Sequence, residues 1–145
     1  MLPPSCILPA DPQKLPEVIA FVADHADEAG LDASKIKGLS LAVEEAFINI
    51  CNHAFPSGEG KVEISCCSMK DSYIIEIRDG GPAFDPLSLP APDTDAGIEE
   101  RDIGGLGILF INYFTDRAEY FRKETENVLR LTLFRASKKK EGPEG

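Results

Sequence analysis

Three polar residues recur at helical spacing in the first half of this sequence: Glu45, Asn49 and His53 stand four positions apart. In a helix, side chains at this spacing lie along one face, about one turn from each other. The row offers a carboxylate, a carboxamide oxygen and an imidazole, while no Lys or Arg occurs from Gly38 to Phe55. These groups suit a divalent cation that prefers oxygen ligands, with a general base nearby. A polar helix surface without a ligand is the alternative.

The segment that contains this row also has an apolar face. Its apolar residues recur at intervals of three or four and are Ile36, Leu39, Val43, Phe47 and Ile50. This pattern predicts an amphipathic helix whose apolar face packs on a core. Asp32 or Ser34 is the expected N-cap, and the helix should end near Ala54, before Pro56.

A second polar segment, Asp79-Gly80-Gly81, follows directly after an alternating apolar pattern. A carboxylate at the end of a strand can point into a pocket and accept a hydrogen bond from an exocyclic amine such as that of adenine. The two glycines should allow positive φ and a close approach of the backbone to a ligand. An ordinary Asp-Gly turn is the alternative.

A third segment contains Gly104, Gly105, Leu106 and Gly107, directly before a helix predicted from Ile108 to Phe114. Glycines at the start of a helix leave its first amides accessible, and the helix dipole favours phosphate oxygens there. The segment is neither a Walker A loop nor a dinucleotide-binding fingerprint, because it lacks the Gly-Lys-Ser/Thr sequence and a surrounding βαβ unit. A hinge that permits close helix packing is the alternative.

The elements that must position these segments follow from periodicity and turn residues. The other predicted elements are a strand at Ser5–Leu8, a helix that follows Asp11 and Pro12 and ends at Gly30, strands at Val62–Cys66 and Tyr73–Ile77, and closing strands at Arg117–Phe121 and Asn127–Phe134. Strands that are adjacent in hairpins, with helices between them, predict an α+β two-layer sandwich. We expect one domain over residues 1–137 and a disordered tail over 138–145.

Composition narrows the classes of function. The formal net charge of −10 argues against a general nucleic-acid binder, which would show a basic patch. Four cysteines without a CxxC pair and only two histidines make a zinc site unfavourable and predict free thiols in a reducing compartment. The N-terminus lacks a basic segment followed by an apolar one, and no apolar run approaches the length of a membrane span, so we expect a cytoplasmic protein that is not bound to a membrane.

Taken together, the three segments resemble the GHKL ATPase superfamily, and more narrowly its stand-alone anti-sigma factor serine kinases. The matching sequences are Glu45…Asn49…His53-Ala54-Phe55, then Asp79-Gly80-Gly81 with Phe84-Asp85-Pro86, then Gly104-Gly105-Leu106-Gly107, then Asn127-Val128-Leu129. The resemblance covers residues 10–135. It implies the GHKL (Bergerat) type of two-layer sandwich, with a mixed, mostly antiparallel sheet.

The resemblance also implies roles for these residues. Asn49 would be the ligand of Mg²⁺, Glu45 the general base that acts on a serine or threonine hydroxyl, and Asp79 the adenine contact. The residues that we expect to bind ATP and its metal are Asn49, Asn52, His53, Asp79, Gly81, Phe84, Gly104, Gly105, Leu106 and Gly107. Two neighbours leave alternatives open, because Asn52 is a second candidate metal ligand and Glu44 a second candidate base. Glu44 lies about 100° around the helix and should face solvent or a partner.

In this family the partners are a sigma factor, which is sequestered, and an anti-anti-sigma (STAS-type) protein, which is phosphorylated. Homodimers are common in the family. An alternative function is a nucleotide-binding sequestering module without significant kinase activity, although a module of that kind needs no carboxylate at Glu45. A detached histidine-kinase ATPase domain is a third interpretation, and it is disfavoured because the chain lacks a phosphoacceptor or dimerisation helix.

Overall fold

An antiparallel sheet with helices on one face makes up the computed structural model, which describes residues 3–55, 59–88 and 111–135. The strands are β1 (Ser5–Pro9), β2 (Lys61–Ser68), β3 (Ser72–Asp79), β4 (Arg117–Lys123) and β5 (Glu126–Phe134), and the long helices are α1 (Leu15–Glu28) and α2 (Ala33–His53). Two 3₁₀ helices span Pro12–Lys14 and Pro86–Ser88, and residues 111–114 are also helical.

The strand order is β1-β2-β3-β5-β4, and all four pairings among the described residues are antiparallel. β5 pairs with β3 on one side and with β4 on the other. In this register Asp79, the last residue of β3, lies directly opposite Asn127 near the start of β5. The predicted α+β two-layer sandwich is confirmed, and the register brings two polar residues together at one end of the sheet.

Side-chain caps fix where the helices begin. The Asp32 carboxylate accepts a hydrogen bond from the Lys35 backbone N–H at 2.8 Å, so Asp32 rather than Ser34 is the N-cap of α2. Asp11 instead caps the first 3₁₀ helix, and α1 begins only at Leu15. Within the described residues, no helix combines the length and apolar character needed to cross a lipid bilayer.

The core lies between the helices and the inward-facing rows of the two central strands. These rows are Tyr73, Ile75, Ile77 and Asp79 in β3, and Asn127, Leu129, Leu131 and Leu133 in β5. The predicted apolar face of α2 packs on them, with Leu39, Val43, Phe47 and Ile50 buried and Ile36 partly buried. Each inward row is therefore apolar except at the same end, where Asp79 and Asn127 are both 4% exposed.

Charged residues cover much of the opposite face of the sheet. Arg78 contacts Glu63 at 3.2 Å and Glu76 at 2.7 Å, and Arg130 contacts Glu76 at 2.7 Å. The Arg130 guanidinium also lies 5.0 Å from the centre of the Phe121 ring. We call Glu63, Arg78, Glu76 and Arg130 the charged ladder. It keeps this face polar, as expected for an antiparallel sheet with helices on only one side.

The four cysteines are free thiols, as predicted, and Cys51 and Cys66 are buried. Burial raises the pKa of each of these two thiols to about 11. Cys66 lies beside the hydroxyl of Tyr73, whose pKa is raised above its ordinary value, chiefly by burial. That hydroxyl has no hydrogen-bond partner among the described residues. It is therefore a buried polar group that costs stability.

Tyr73→Phe should leave the free energy of unfolding unchanged or raise it by up to about 1 kcal/mol, because it removes an unsatisfied buried hydroxyl. Tyr120→Phe is the contrasting variant, since the Tyr120 hydroxyl donates to Asn127 Oδ1 at 2.5 Å. Its loss should lower the free energy of unfolding by about 1 kcal/mol. Urea unfolding measures both. A clear loss of stability in Tyr73→Phe would contradict the prediction and show that the contact with Cys66 acts as a hydrogen bond.

Candidate functional site

The end of α2 meets the loop that follows β3. The His53 ring stacks on the Phe84 ring, with centroids 4.9 Å apart and planes inclined by 16°. One residue further on, the Ala54 Cβ lies only 3.0 Å from where a Cβ on Gly81 would stand. Two segments that were singled out separately in the sequence are thus in contact. The His53 end of the Glu45–Asn49–His53 row therefore lies against the loop that follows Asp79.

Asp79 is buried at the centre of this contact. Its Oδ1 accepts hydrogen bonds from the Gly81 backbone N–H at 2.9 Å and from Asn127 Nδ2 at 3.0 Å. Its other oxygen, Oδ2, accepts no hydrogen bond from the part of the chain that the structure describes. One carboxylate oxygen therefore holds the loop, and the other keeps its capacity to accept a hydrogen bond from a ligand.

Asn127 is the other polar residue at this end of the sheet. Its Nδ2 donates to Asp79 Oδ1 and to the Pro82 carbonyl at 2.9 Å. Its Oδ1 accepts from the Phe84 backbone N–H at 3.1 Å and from the Tyr120 hydroxyl at 2.5 Å. Because the amide nitrogen faces only acceptors and the oxygen only donors, these partners fix the orientation of the side chain.

Arg122 joins the same network from β4. Its Nη1 donates to the Gly81 carbonyl at 2.8 Å and to Asn127 Oδ1 at 3.2 Å. We call Asn127, Tyr120 and Arg122 the clamp, because Asn127 and Arg122 bind the loop after β3 and Tyr120 binds Asn127. The clamp belongs to the hairpin of β4 and β5, which begins only at Arg117 and is therefore distant from the loop in the sequence.

The sequence offered a signal for only one member of the clamp. Asn127 is a polar residue at an inward position of an otherwise apolar row, the same signal that marks Asp79. It entered the sequence analysis only through the Asn-x-Leu resemblance and was not among the predicted site residues. Tyr120 and Arg122 had no such signal, because their contacts depend on how β4 aligns with β5.

The structure corrects the reason given for the glycines of the loop. Gly80 and Gly81 were expected to adopt positive φ, but the positive-φ glycine among the described residues is Gly30, at 90°. The expected approach to a ligand stays a prediction, but Gly81 does lie close to other atoms of the protein. A Cβ there would lie 3.1 Å from Asp79 Oδ1, closer than ordinary van der Waals contact. Gly81 is therefore required by packing rather than by backbone conformation.

The polar residues at the end of α2 differ in how deeply they are buried. Asn49 is 6% exposed, whereas Asn52 and His53 are exposed. Asn49 Nδ2 has no hydrogen-bond partner in the described part of the chain. A buried amide N–H without a partner is costly, and because it is a donor it points to an acceptor such as a phosphate oxygen. Burial thus favours Asn49 over Asn52 as the residue that contacts a ligand.

Glu45 lies one turn before Asn49 and is partly buried. Burial raises the pKa of its carboxyl above the ordinary value, and the charge of neighbouring Glu44 raises it further. A raised pKa makes the carboxylate a stronger base. The Asn49 Oδ1 and this carboxylate are oxygen donors of the kind that a divalent cation such as Mg²⁺ prefers, while the Asn49 Nδ2 can donate to an anionic oxygen of the same ligand.

Several predicted residues fall outside the described residues. Gly104, Gly105, Leu106 and Gly107 lie there, as do residues 108–110 of the predicted helix and the tail at 138–145. Their roles remain predictions.

Gly81→Ala should lower the free energy of unfolding by roughly 1–3 kcal/mol, because the new methyl group would press on the Asp79 carboxylate and the end of α2. Gly80→Ala is the matched control. Among the described residues, a Cβ at Gly80 would have only one neighbour, the Thr125 carbonyl at 4.0 Å, so this change should be within about 1 kcal/mol of neutral. Urea unfolding of both variants measures the difference. Equal losses would contradict the assignment of Gly81 to close packing.

Glu45→Gln should stabilise the protein, measured without added ligand, more at neutral pH than at pH 4. The folded-state pKa of Glu45 is raised, so ionisation of this group costs stability as pH rises from the ordinary glutamate pKa through the raised one. Glutamine removes that cost. Urea unfolding across this range measures the effect, with exposed Glu59→Gln as the control that should change the curve less. A difference between Glu45→Gln and the parent that does not depend on pH would contradict the prediction.

Comparison with known proteins identifies the family of the chain. The family model of the histidine kinase-like ATPase domain matches residues 8–133. The Serine-protein kinase RsbW of Halalkalibacterium halodurans is 30% identical over 131 residues, which are 88% of this chain and 80% of that protein. The Serine/threonine-protein kinase BtrW of Bordetella bronchiseptica is 28% identical over 95 residues, covering 65% of this chain and 67% of that protein.

Solved structures show the same fold at low identity. The RsbU and RsbW domains of Rv1364c from Mycobacterium tuberculosis align with a TM-score of 0.58 and 15% identity, over 90% of this chain and 32% of that one. A blue-light activated histidine kinase of Erythrobacter litoralis aligns with a TM-score of 0.57 and 14% identity, over 92% and 44%. The chain belongs to the histidine kinase-like ATPase domain family, in the group of the ATP-dependent serine/threonine-protein kinases.

Proposed function

We propose that this kinase binds ATP with Mg²⁺, phosphorylates a serine or threonine of an anti-anti-sigma (STAS-type) protein, and sequesters a sigma factor. One observation supports the proposal most directly. The buried amide of Asn49 lacks a partner and lies one turn from the partly buried Glu45, on the helix whose end stacks on the Asp79 loop. In this proposal Asn49 would give its Oδ1 to the metal and its Nδ2 to a phosphate oxygen, Glu45 would be the base, and Asp79 would be the acceptor for a nucleobase.

Asp79 would select adenine. Its Oδ1 is held by Gly81 and Asn127, so Oδ2 is the oxygen that would accept a hydrogen bond from the exocyclic amine of adenine. Guanine has a carbonyl oxygen at the corresponding position. Two acceptors would then face each other in a buried site, which is unfavourable. Gly104 to Gly107 would supply backbone amides to the phosphates.

Asn49 would hold Mg²⁺, which when bound neutralises the charge that develops on the phosphates. Glu45 would accept the proton of the substrate hydroxyl. Its raised pKa suits this role, because desolvation and Glu44 both make the carboxylate more basic. Phosphoryl transfer depends mainly on positioning and charge neutralisation, so few further catalytic side chains are needed.

The identities of the protein substrate and of the sequestered partner are inferred from the family resemblance. The matched relatives are named serine or serine/threonine-protein kinases, which supports a protein hydroxyl as the acceptor. A sigma factor and an anti-anti-sigma protein are the partners that this resemblance implies, and a homodimer is the implied assembly.

Calorimetric titration with ATP, with and without Mg²⁺, tests the site. Asn49→Ala should weaken Mg²⁺-dependent ATP binding by about tenfold or more, because it removes a polar contact to a charged group. Asn52→Ala is the matched control and should bind as the parent does, since Asn52 is exposed. No ATP binding by the folded parent would overturn the proposal, and a loss in Asn52→Ala alone would move the metal ligand to Asn52.

Transfer of radiolabelled phosphate to a STAS-type protein of the same genome completes this test. Glu45→Ala should retain ATP binding and lower the transfer rate by roughly 10²–10⁴-fold, as expected for loss of a general base. Glu44→Ala should lower the rate much less. Unchanged transfer in Glu45→Ala would remove it as the base. ATP binding without any transfer by the parent would favour a sequestering module instead.

A further inference from the structure

We propose that Asn127 is a positioning residue that sets adenine specificity by orienting the Asp79 carboxylate, and that Tyr120 and Arg122 hold it in place. The inference rests on the proposed function, because it assigns Asp79 to adenine. Asn127 itself would act through Asp79 and the loop rather than by touching the base.

The hydrogen bonds of Asp79 support the first step. A carboxylate at the end of a strand can rotate about its side-chain torsions, and rotation would move both oxygens. Two donors converge on Oδ1, the Gly81 N–H at 2.9 Å and Asn127 Nδ2 at 3.0 Å. They fix the carboxylate before a ligand arrives. The cost of ordering this group is then not part of the binding free energy.

The second step concerns the loop. Asn127 binds the Pro82 carbonyl and the Phe84 backbone N–H, so one side chain spans three residues of the loop. Phe84 in turn stacks on His53 at the end of α2. Asn127 therefore determines both the rotamer of the acceptor and the position of the loop relative to the metal-binding helix.

The third step concerns what holds Asn127. A reversed amide would place its oxygen against the Asp79 carboxylate and the Pro82 carbonyl, which repel it. The Tyr120 hydroxyl and the Arg122 guanidinium both donate to Oδ1 and oppose that reversal. Arg122 also binds the Gly81 carbonyl, so the hairpin contacts the loop at a further point.

Asn127→Asp is the sharpest test, because it keeps the shape of the side chain and places an oxygen 3.0 Å from Asp79 Oδ1. Calorimetry would compare ATP and GTP, each with Mg²⁺, on the parent and the variant. ATP affinity should fall by about tenfold, since a charge-assisted hydrogen bond becomes a repulsive contact. GTP affinity should change much less, so the ATP-to-GTP affinity ratio should fall. Lys123→Ala, on the same hairpin and outside the clamp, should leave both affinities unchanged.

The ATP-to-GTP affinity ratio distinguishes a positioning role of Asn127 from a general structural role. A loosened fold would weaken the binding of ATP and of GTP equally and leave the ratio unchanged. A parent that prefers ATP and a variant with an unchanged ratio would overturn the inference. Arg122→Gln, which alters the clamp at an exposed position, provides a second variant if Asn127→Asp does not fold. Arg122→Gln should also lower the ATP-to-GTP affinity ratio, but by a smaller factor. An unchanged ratio in this variant would contradict the role of the clamp in adenine specificity.

Amide hydrogen exchange of the nucleotide-free protein tests the clamp independently of ATP. The Gly81 and Phe84 amides should exchange faster in Asn127→Asp than in the parent, because their bonds depend on the orientation of Asp79 and Asn127. If the parent binds no ATP, the proposed function fails, while faster exchange would still support the orientation of Asp79 by Asn127. Unchanged exchange at both amides would overturn that orientation whatever the nucleotide result.

Discussion

The hydrogen bond between Asp79 and Asn127 is the interaction on which the rest of the site depends. It exists because β3 and β5 pair antiparallel in a register that sets these residues opposite each other, at the polar end of two apolar rows. A shift of β5 by one residue relative to β3 would turn Asn127 to the other face of the sheet. The hydrophobic core therefore fixes the register, and the register fixes the site. The stack of His53 on Phe84 then joins this end of the sheet to α2.

Local patterns in the sequence were sufficient to predict the helices and strands, and also the polar residues that α2 and the end of β3 place near each other. The spacing along α2 predicted its buried face and its polar row, whereas residue type left both Asp32 and Ser34 as candidate caps and the structure has Asp32. The partners of Asn127 were beyond such reasoning, because they come from a hairpin whose alignment no short-range pattern specifies. The role of Gly81 was misjudged for a similar reason. Its requirement comes from Ala54 and Asp79, residues that only the fold brings near it.

The site retains features that reduce the stability of the protein alone. Asn49 keeps a buried amide nitrogen without a partner, and Glu45 is held where ionisation is unfavourable. Both lie on α2, whose opposite face buries large apolar residues such as Phe47 and Ile50. The apolar packing of this helix compensates for the polar groups on its other side, as is common where a binding site and a core share one element.

The charged ladder makes the distribution of charge over the surface of the molecule uneven. Its two glutamates and two arginines cancel one another, although the whole chain has a formal charge of −10. The excess negative charge is therefore carried outside the ladder. Repulsion between like-charged copies keeps proteins apart in solution, and it is weakest where charge is locally balanced. In the part of the chain that the structure describes, the charged ladder is thus the region where polar side chains and surface shape, rather than net charge, must prevent non-specific association.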